Sequence, residues 1–304
     1  MKNFALIGAA GYVAPLHMQA IRETGNRLVA VADPADSVGI LDKHFLDVRY
    51  FPEIERFDRH LEKLRHGPAE GKIDYVSICS PNYLHDAHVR LALRSGCIAI
   101  CEKPLVINPW NLDQLAQVVK ETGGTVNTIL QLRLHPILLA LRKNLIQERE
   151  KSPQLKKKKV MLTYVTGRGP WYQQSWKGSE ERSGGLATNI GIHFFDLLIW
   201  LFGEVDSVGV VSRMPLEISG ELSLRYADVQ WMLSVDFNRL PFTAIPGNNT
   251  TFRSITIDGR EVAFDNGFGN LHTKSYEAIL SGHGFGIEDA RPAIELVHLI
   301  RHTV

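Results

Sequence analysis

Residues 3 to 131 alternate short, nearly continuous apolar runs with amphipathic stretches. The runs are Phe4 to Ile7, Leu28 to Ala32, Tyr75 to Cys79, Cys97 to Cys101 and Val126 to Leu130. Continuous apolar runs are what a parallel sheet requires when helices cover both of its faces. The stretches between them predict helices near 13–24, 54–66, 82–95 and 109–122, with Asn82 and Asn108 followed by Pro109 at helix starts. This half predicts a doubly wound parallel α/β domain over 1–131.

Beyond residue 132 the rhythm changes. A helix is predicted over Pro136 to Glu150, then a polar connection from Lys151 to Lys159, then strands such as Val160 to Val165 and Gln230 to Phe237. Ile255 to Phe264 reads as a hairpin about Asp258-Gly259, a pair that accepts the positive φ angles of a type I′ turn. Helices near 190–202 and 288–302 complete an α+β domain over 132–304, built on a large, mainly antiparallel sheet.

Composition narrows the class. The 304 residues suit two domains, and 44% apolar with 22% charged residues is ordinary for globular chains. A formal net charge of +1 supplies no general field for nucleic acid or anionic membrane. Lys156 to Lys159 is the one basic run of note, and without interleaved aromatics it reads as the solvated edge of a strand. Asn248 to Thr251 matches a glycosylation sequon but reads as a polar loop. Cys79, Cys97 and Cys101 have no metal-ligand spacing and cannot all pair, which fits a reducing compartment. Met1 to Gly8 turns at glycine too early for a signal peptide, and no apolar run reaches the roughly 18 residues of a membrane span. The expected location is the cytoplasm.

Candidate chemistry begins at Gly8, Ala10, Gly11 and Tyr12, in a G-x-x-G-x-x-A turn between the first strand and the first helix. Glycines there let the backbone approach a pyrophosphate at the helix N-terminus. Asp33 ends the second strand, where a carboxylate accepts from ribose hydroxyls and disfavours a 2′-phosphate, so NAD is expected over NADP. Ser80 to His85 and Glu102-Lys103-Pro104 end later strands on the same rim, the second offering a lysine to stabilise a developing alkoxide, with a Lys-Pro bond suited to the cis form. Asn189 and His193 stand four apart in the Ser183 to Asp196 segment, and a histidine titrating near neutrality can accept a proton from an alcohol. Arg168 to Gly178 reads as a binding loop in which Trp171 and Tyr172 pack on a ring while Arg168 and Lys177 meet anionic oxygens. Arg133 and His135 are weaker candidates for the same cleft, and no metal site is expected.

Together and in this order, the glycine turn with Asp33, Ser80 to His85, Glu102-Lys103-Pro104 and Gly184-Gly185 to His193 resemble the Gfo/Idh/MocA oxidoreductase family over essentially the whole chain. Asp74 to His88, Ala99 to Trp110 and Asn127 to Pro136 look especially like its branch that oxidises UDP-N-acetyl-D-glucosaminuronic acid at the sugar 3-position. The resemblance implies a Rossmann domain, a second domain with an open-faced sheet, tightly held NAD and a homotetramer. It implies Lys103 and His193 as the catalytic pair and Lys103, Arg168, Lys177, Asn189 and His193 as substrate contacts. The expected cofactor contacts are Gly8, Ala10, Gly11, Tyr12, Asp33, Ser37, Ser80, Asn82, His85, Glu102, Lys103, Gln131, Trp171 and Tyr172. Asn189 departs from the aspartate of many relatives, which removes a charge beside His193. The implied partners are a UDP-linked amino sugar uronate and 2-oxoglutarate as a second substrate that reoxidises NADH, in the making of diacetamido uronic acid sugars for lipopolysaccharide O-antigen. Two alternatives stay open: a free-sugar or inositol dehydrogenase of the same family, and a noncatalytic dinucleotide-binding regulator.

Overall fold

The computed structural model describes residues 1–151, 156–241, 250–264 and 269–303. In chain order the elements are β1 (Asn3–Ile7), α1 (Ala14–Glu23), β2 (Arg27–Ala32), β3 (Arg49–Phe51), α2 (Ile54–Arg65), β4 (Tyr75–Ile78), α3 (His85–Arg94), β5 (Ile98–Cys101), α4 (Pro109–Thr122) and β6 (Val126–Thr128). There follow α5 (Pro136–Lys151), β7 (Lys158–Thr166), the single turns α6 (Trp171–Gln174) and α7 (Glu180–Ser183), then α8 (Ile192–Phe202). The rest are β8 (Val205–Met214), β9 (Glu217–Leu224), β10 (Ala227–Ser234), β11 (Thr251–Ile257), β12 (Arg260–Glu261), α9 (Leu271–Leu280) and α10 (Ile287–His302).

The chain divides into two compact units, Met1–Gln131 with Gly269–Arg291, and Leu132–Phe268 with Pro292–Val304. Residues 269–291, assigned from sequence to the C-terminal domain, fall in the first unit, where α9 packs on α1 and adds Tyr276 and Ile279 to the core.

In the first unit a six-stranded sheet runs β3-β2-β1-β4-β5-β6, with every pair parallel. The order reverses direction between β1 and β4, which makes the carboxyl ends of those two strands the crevice where such sheets bind ligands. The core is anchored by Phe4, fully buried and stacked on Tyr75 at 4.8 Å and Tyr276 at 5.8 Å. Asn108 sits at the N-cap of α4 with Pro109 at the first helical position, but its side chain does not cap the helix. Asn82 opens a 3₁₀ turn leading into α3, whose N-cap position falls on Leu84 instead.

The second unit holds a mixed sheet ordered β12-β11-β7-β10-β9-β8. β7 and β10 are parallel and the remaining pairs antiparallel. Along β9 and β10 burial alternates: Ile218, Leu222, Val229, Trp231 and Leu233 face the core, while Glu221, Asp228 and Gln230 are exposed on the other face. Asp258 and Gly259 both take positive φ, 49° and 78°, as the turn between β11 and β12 requires. The Lys156 to Lys159 run enters β7 at Lys158 and is matched by acids: Lys157 reaches Asp206 at 2.7 Å and Lys158 reaches Glu148 at 3.1 Å. Of the sequon, Asn248 and Asn249 lie outside the described residues.

The stretch Glu180–Phe202, though interrupted by polar residues, is long and apolar enough by composition to cross a membrane, and 67% of its most apolar window is buried inside the protein. Its apolar character has a local cause. α8 is enclosed all round, with Phe194, Phe195, Leu197, Leu198, Leu201 and Phe202 buried and Phe195 edge-on to Trp231, so a solvent-facing polar stripe is not needed.

Candidate active site

At the end of β1 the chain turns through Gly8 at φ +91°, and a Cβ there would stand 2.6 Å from the Cys79 carbonyl carbon and 2.7 Å from the Ser80 nitrogen. Only glycine lets β1 and β4 close this tightly at their carboxyl ends. Gly11 follows at the start of the turn into α1, whose N-terminus no side chain caps, leaving that end open to an anion. Asp33, at the end of β2, accepts the Ala10 amide at 2.9 Å on Oδ2 and the Ala35 amide at 2.8 Å on Oδ1. Each oxygen keeps a second lone pair for a hydroxyl donor. Tyr12 is 90% exposed on this rim and Ser37 is exposed in the loop after β2. The Gln131 amide oxygen is buried and has no hydrogen-bond partner in the protein, an acceptor left over for a bound molecule. The residues present fit a dinucleotide.

Ser80 to His85 and Glu102 to Pro104 are tied to each other. His85, 1% exposed, contacts the Ser80 carbonyl at 2.8 Å and the Pro104 carbonyl at 2.6 Å, so one imidazole joins the two turns. Ser80 Oγ is held by His88 at 2.8 Å, and Asn82 is buried beside them. The Lys103–Pro104 peptide is cis. Lys103 is partly buried, and desolvation pulls its amine below the ordinary lysine value against the opposing charge of Glu102. Glu102 itself points into the protein. Its Oε1 receives His17 and His272, each at 3.0 Å, and its Oε2 receives the Lys103 amide at 3.2 Å.

In the second unit Asn189 and His193 enter α8 through a π-helical turn, Ala187–Gly191. Gly184, at φ +81°, faces Thr188 so closely that a Cβ would stand 2.6 Å from its Cβ, which fixes the approach to that turn. Asn189 donates to the Tyr172 hydroxyl at 2.7 Å, and His193 meets the edge of Tyr164 at 5.8 Å and packs on Phe194. Burial raises the Tyr172 hydroxyl above its ordinary value while Arg168 nearby opposes the rise. Lys177 lies over Trp176 at 4.3 Å and Trp171 at 5.9 Å. Asn189 therefore ties the Arg168 to Gly178 loop to the turn that leads into His193.

Arg133 and His135 do not stand open as candidate ligands. Arg133 is 8% exposed and forms a two-pronged pair with Asp196, at 2.6 and 3.0 Å, while His135 is buried against Phe264. Tyr164 was absent from the sequence reading because it lies among strand residues with nothing to distinguish it. His17, His272 and Tyr276 were absent for another reason: 170 residues separate His272 from Glu102, and no local pattern signals that contact.

The family model described as "Oxidoreductase family, NAD-binding Rossmann fold" matches residues 2–129, and "Oxidoreductase family, C-terminal alpha/beta domain" matches residues 154–226. The WlbA (WbpB) dehydrogenase from Thermus thermophilus, solved in complex with NAD and UDP-GlcNAcA, is 48% identical, with a TM-score of 0.93 over 100% of this chain and 96% of its own. The same enzyme solved with NAD and alpha-ketoglutarate gives a TM-score of 0.92 over 99% of this chain and 95% of its own. Inositol 2-dehydrogenase of Rhizobium meliloti is 29% identical over 205 residues, 66% of this chain and 55% of that enzyme, so the match spans little more than half the length of that relative. The chain belongs to the Gfo/Idh/MocA oxidoreductase family, and its first unit is that family's NAD-binding Rossmann domain.

Proposed function

We propose that the protein oxidises the sugar 3-hydroxyl of UDP-N-acetyl-D-glucosaminuronic acid to the 3-keto sugar. The observation that carries this reading is the 48% identity, over the full chain, to an enzyme solved with NAD and UDP-GlcNAcA. NAD, when bound, supplies the hydride acceptor. The turn from Gly8 to Gly11 and Asp33 hold it, joined by Ser37, the Ser80 to His85 segment and Gln131. Lys103 holds the 3-hydroxyl oxygen with its ammonium and stabilises the negative charge that develops there. His193 accepts the hydroxyl proton. Asn189, fixed by Tyr172, presents an amide rather than a second carboxylate, which spares a uronate substrate a like-charge neighbour. Arg168 and Lys177 supply positive charge to the anionic groups of the nucleotide sugar.

The test is NADH absorbance in a single turnover of protein, NAD and UDP-N-acetylglucosaminuronic acid. A burst with the uronate and none with free sugars or inositols is expected, and its decay on adding 2-oxoglutarate would mark cofactor recycling on the enzyme, in keeping with the relative that binds alpha-ketoglutarate. The similarity to inositol 2-dehydrogenase favours a second reading, which a burst with inositol alone would establish. Lys103→Met and His193→Asn each lower turnover by about 10² to 10⁴ with NAD affinity kept. Near-normal turnover in either removes that residue from the chemistry. Assembly as a homotetramer, a place in the cytoplasm and a role in surface polysaccharide synthesis belong to the same proposal.

A further inference from the structure

The first unit contains a buried polar cluster that neither cofactor nor substrate accounts for. His17 of α1 is fully buried, Glu102 after β5 is 6% exposed, and His272 of α9 is 9% exposed. Their ligand atoms lie within 4.8 Å of one another, a spacing that would also admit a metal ion. The hydrogen bonds within the protein already satisfy the cluster. Burial holds the Glu102 carboxyl toward the neutral form, yet the bonds from His17 and His272 outweigh it and keep the group well below the usual carboxylate range. An ionised carboxylate only accepts, so both histidines donate from Nε2. Desolvation keeps His17 neutral, which makes its Nδ1 an acceptor for the Tyr276 hydroxyl at 2.8 Å. Tyr276 has then given its proton and accepts from Ser77 Oγ at 2.6 Å. With Glu102 ionised and unmetallated, every donor and acceptor along Ser77, Tyr276, His17 and Glu102 thus has a consistent direction.

We propose that Glu102, clamped by His17 and His272, is a positioning residue that fixes the Lys103 turn and provides the fixed negative charge next to the lysine, so that α9 is part of the catalytic apparatus. The inference rests on the reading of Lys103 as catalytic. Its backbone arm is direct: Glu102 Oε2 accepts the Lys103 amide, while His85 ties the Pro104 carbonyl on the other side. Its electrostatic arm follows from burial, since desolvation favours loss of the lysine proton and the Glu102 charge opposes it. The titratable groups that face this pair are His17 from α1, His272 and Tyr276 from α9, His85 from α3, Cys79 after β4 and Cys101 of β5. Among these groups Glu102 carries the negative charge: burial raises both thiols and the tyrosine, leaving them neutral.

The experiment compares the pH profile of kcat/KM for NADH formation in the wild type, Glu102→Gln, His272→Leu, His272→Gln and Lys103→Met. An ammonium that must stay protonated gives an alkaline limb, and removing the Glu102 charge is expected to move that limb down by about one pH unit or more, a tenfold change in the protonation ratio. NAD affinity is expected within about threefold of wild type, because the Glu102 carboxylate, expected from the resemblance as a cofactor contact, is instead taken up by His17, His272 and the Lys103 amide. His272→Leu lowers kcat about tenfold with KM little changed, and His272→Gln, which keeps an N–H donor, restores most of it. That pair carries the test if Glu102→Gln does not fold. An unmoved alkaline limb in Glu102→Gln, equal kcat in the two His272 variants, or a stoichiometric metal retained by the purified protein overturns the inference. If Lys103→Met is inactive while the limb stays put, this inference alone fails. If Lys103→Met is active, the catalytic reading fails with it.

Discussion

Replacing Arg133 with methionine removes two charged donors from a carboxylate that has almost no access to water. Asp196 is 2% exposed, Arg133 is 8% exposed, and the two bonds between them are 2.6 and 3.0 Å. Methionine fills much of the volume of the arginine stem, so the main loss is the charge partner. Breaking a buried pair from one side costs about 3–5 kcal/mol, since the remaining ion cannot return to water. The second unit has about 150 residues, for which each kcal/mol shifts Tm by about 2–4 °C, so its transition should fall by about 6–20 °C. Trp171, Trp176, Trp200 and Trp231 belong to this unit and report its unfolding by fluorescence, with calorimetry as the second probe. The double replacement Arg133→Met with Asp196→Leu should recover most of the loss, because an apolar pair of similar volume carries no desolvated charge. A fall below about 2 °C in the single variant, or a double variant no better than the single, would refute the reasoning and place water at Asp196.

Gly8→Ala is expected to lower stability by about 2 kcal/mol or more and weaken NAD binding at least about tenfold, because the new Cβ meets the Cys79 backbone at 2.6 Å with φ at +91°. Near-wild-type affinity in a fluorescence titration would contradict this. His88 is held at about 4 by burial, with His85 adding to the shift, whereas an unfolded histidine binds its proton near 6.5. The stability this gives is present above pH 6.5 and lost as pH falls toward 4, about 2 kcal/mol of it by pH 5. Urea midpoints from pH 7.5 to 5 should therefore fall more steeply in the wild type than in His88→Asn, and equal slopes would count against it. Asn189→Asp should raise KM for the uronate about tenfold while leaving kcat within a few fold, through repulsion between carboxylates. A lowered KM would show that no substrate carboxylate approaches that position.

How much of this was legible depended on whether a residue's role was local. The strands of the first sheet stood out because each is buried on both faces and must be apolar throughout. β3 was missed: it has three residues, Arg49 to Phe51, at the sheet edge, and only Phe51 is buried. α9 was missed because the face it buries includes His272 and Ser275, so its inward stripe reads as polar sequence. The motif residues around Gly8, Ser80, Lys103 and His193 were legible, since each sits at an element boundary with distinctive composition. Their supports were not. Arg133 looked like an exposed cleft residue because its partner Asp196 is 63 residues away, and His17 looked like an ordinary helix position because Glu102 is 85 away. The π-helical turn before α8 leaves no mark in the hydrophobic period, and only Gly184 and Gly185 hint at irregular backbone there.

The return of residues 269–291 to the first unit has a consequence for synthesis. Tyr276 contacts Ser77 and His17 across 199 and 259 residues, so these are bonds that a nascent chain makes late. At about 5–20 residues per second, the ribosome needs on the order of ten to thirty seconds between finishing Gln131 and delivering α9. Throughout that interval Glu102 lacks one imidazole, and Phe4 lacks the aromatic ring that closes over it. The nucleotide-binding half is begun first but is not complete until most of the second unit has been made, so its folding ends after that stretch has emerged instead of before it.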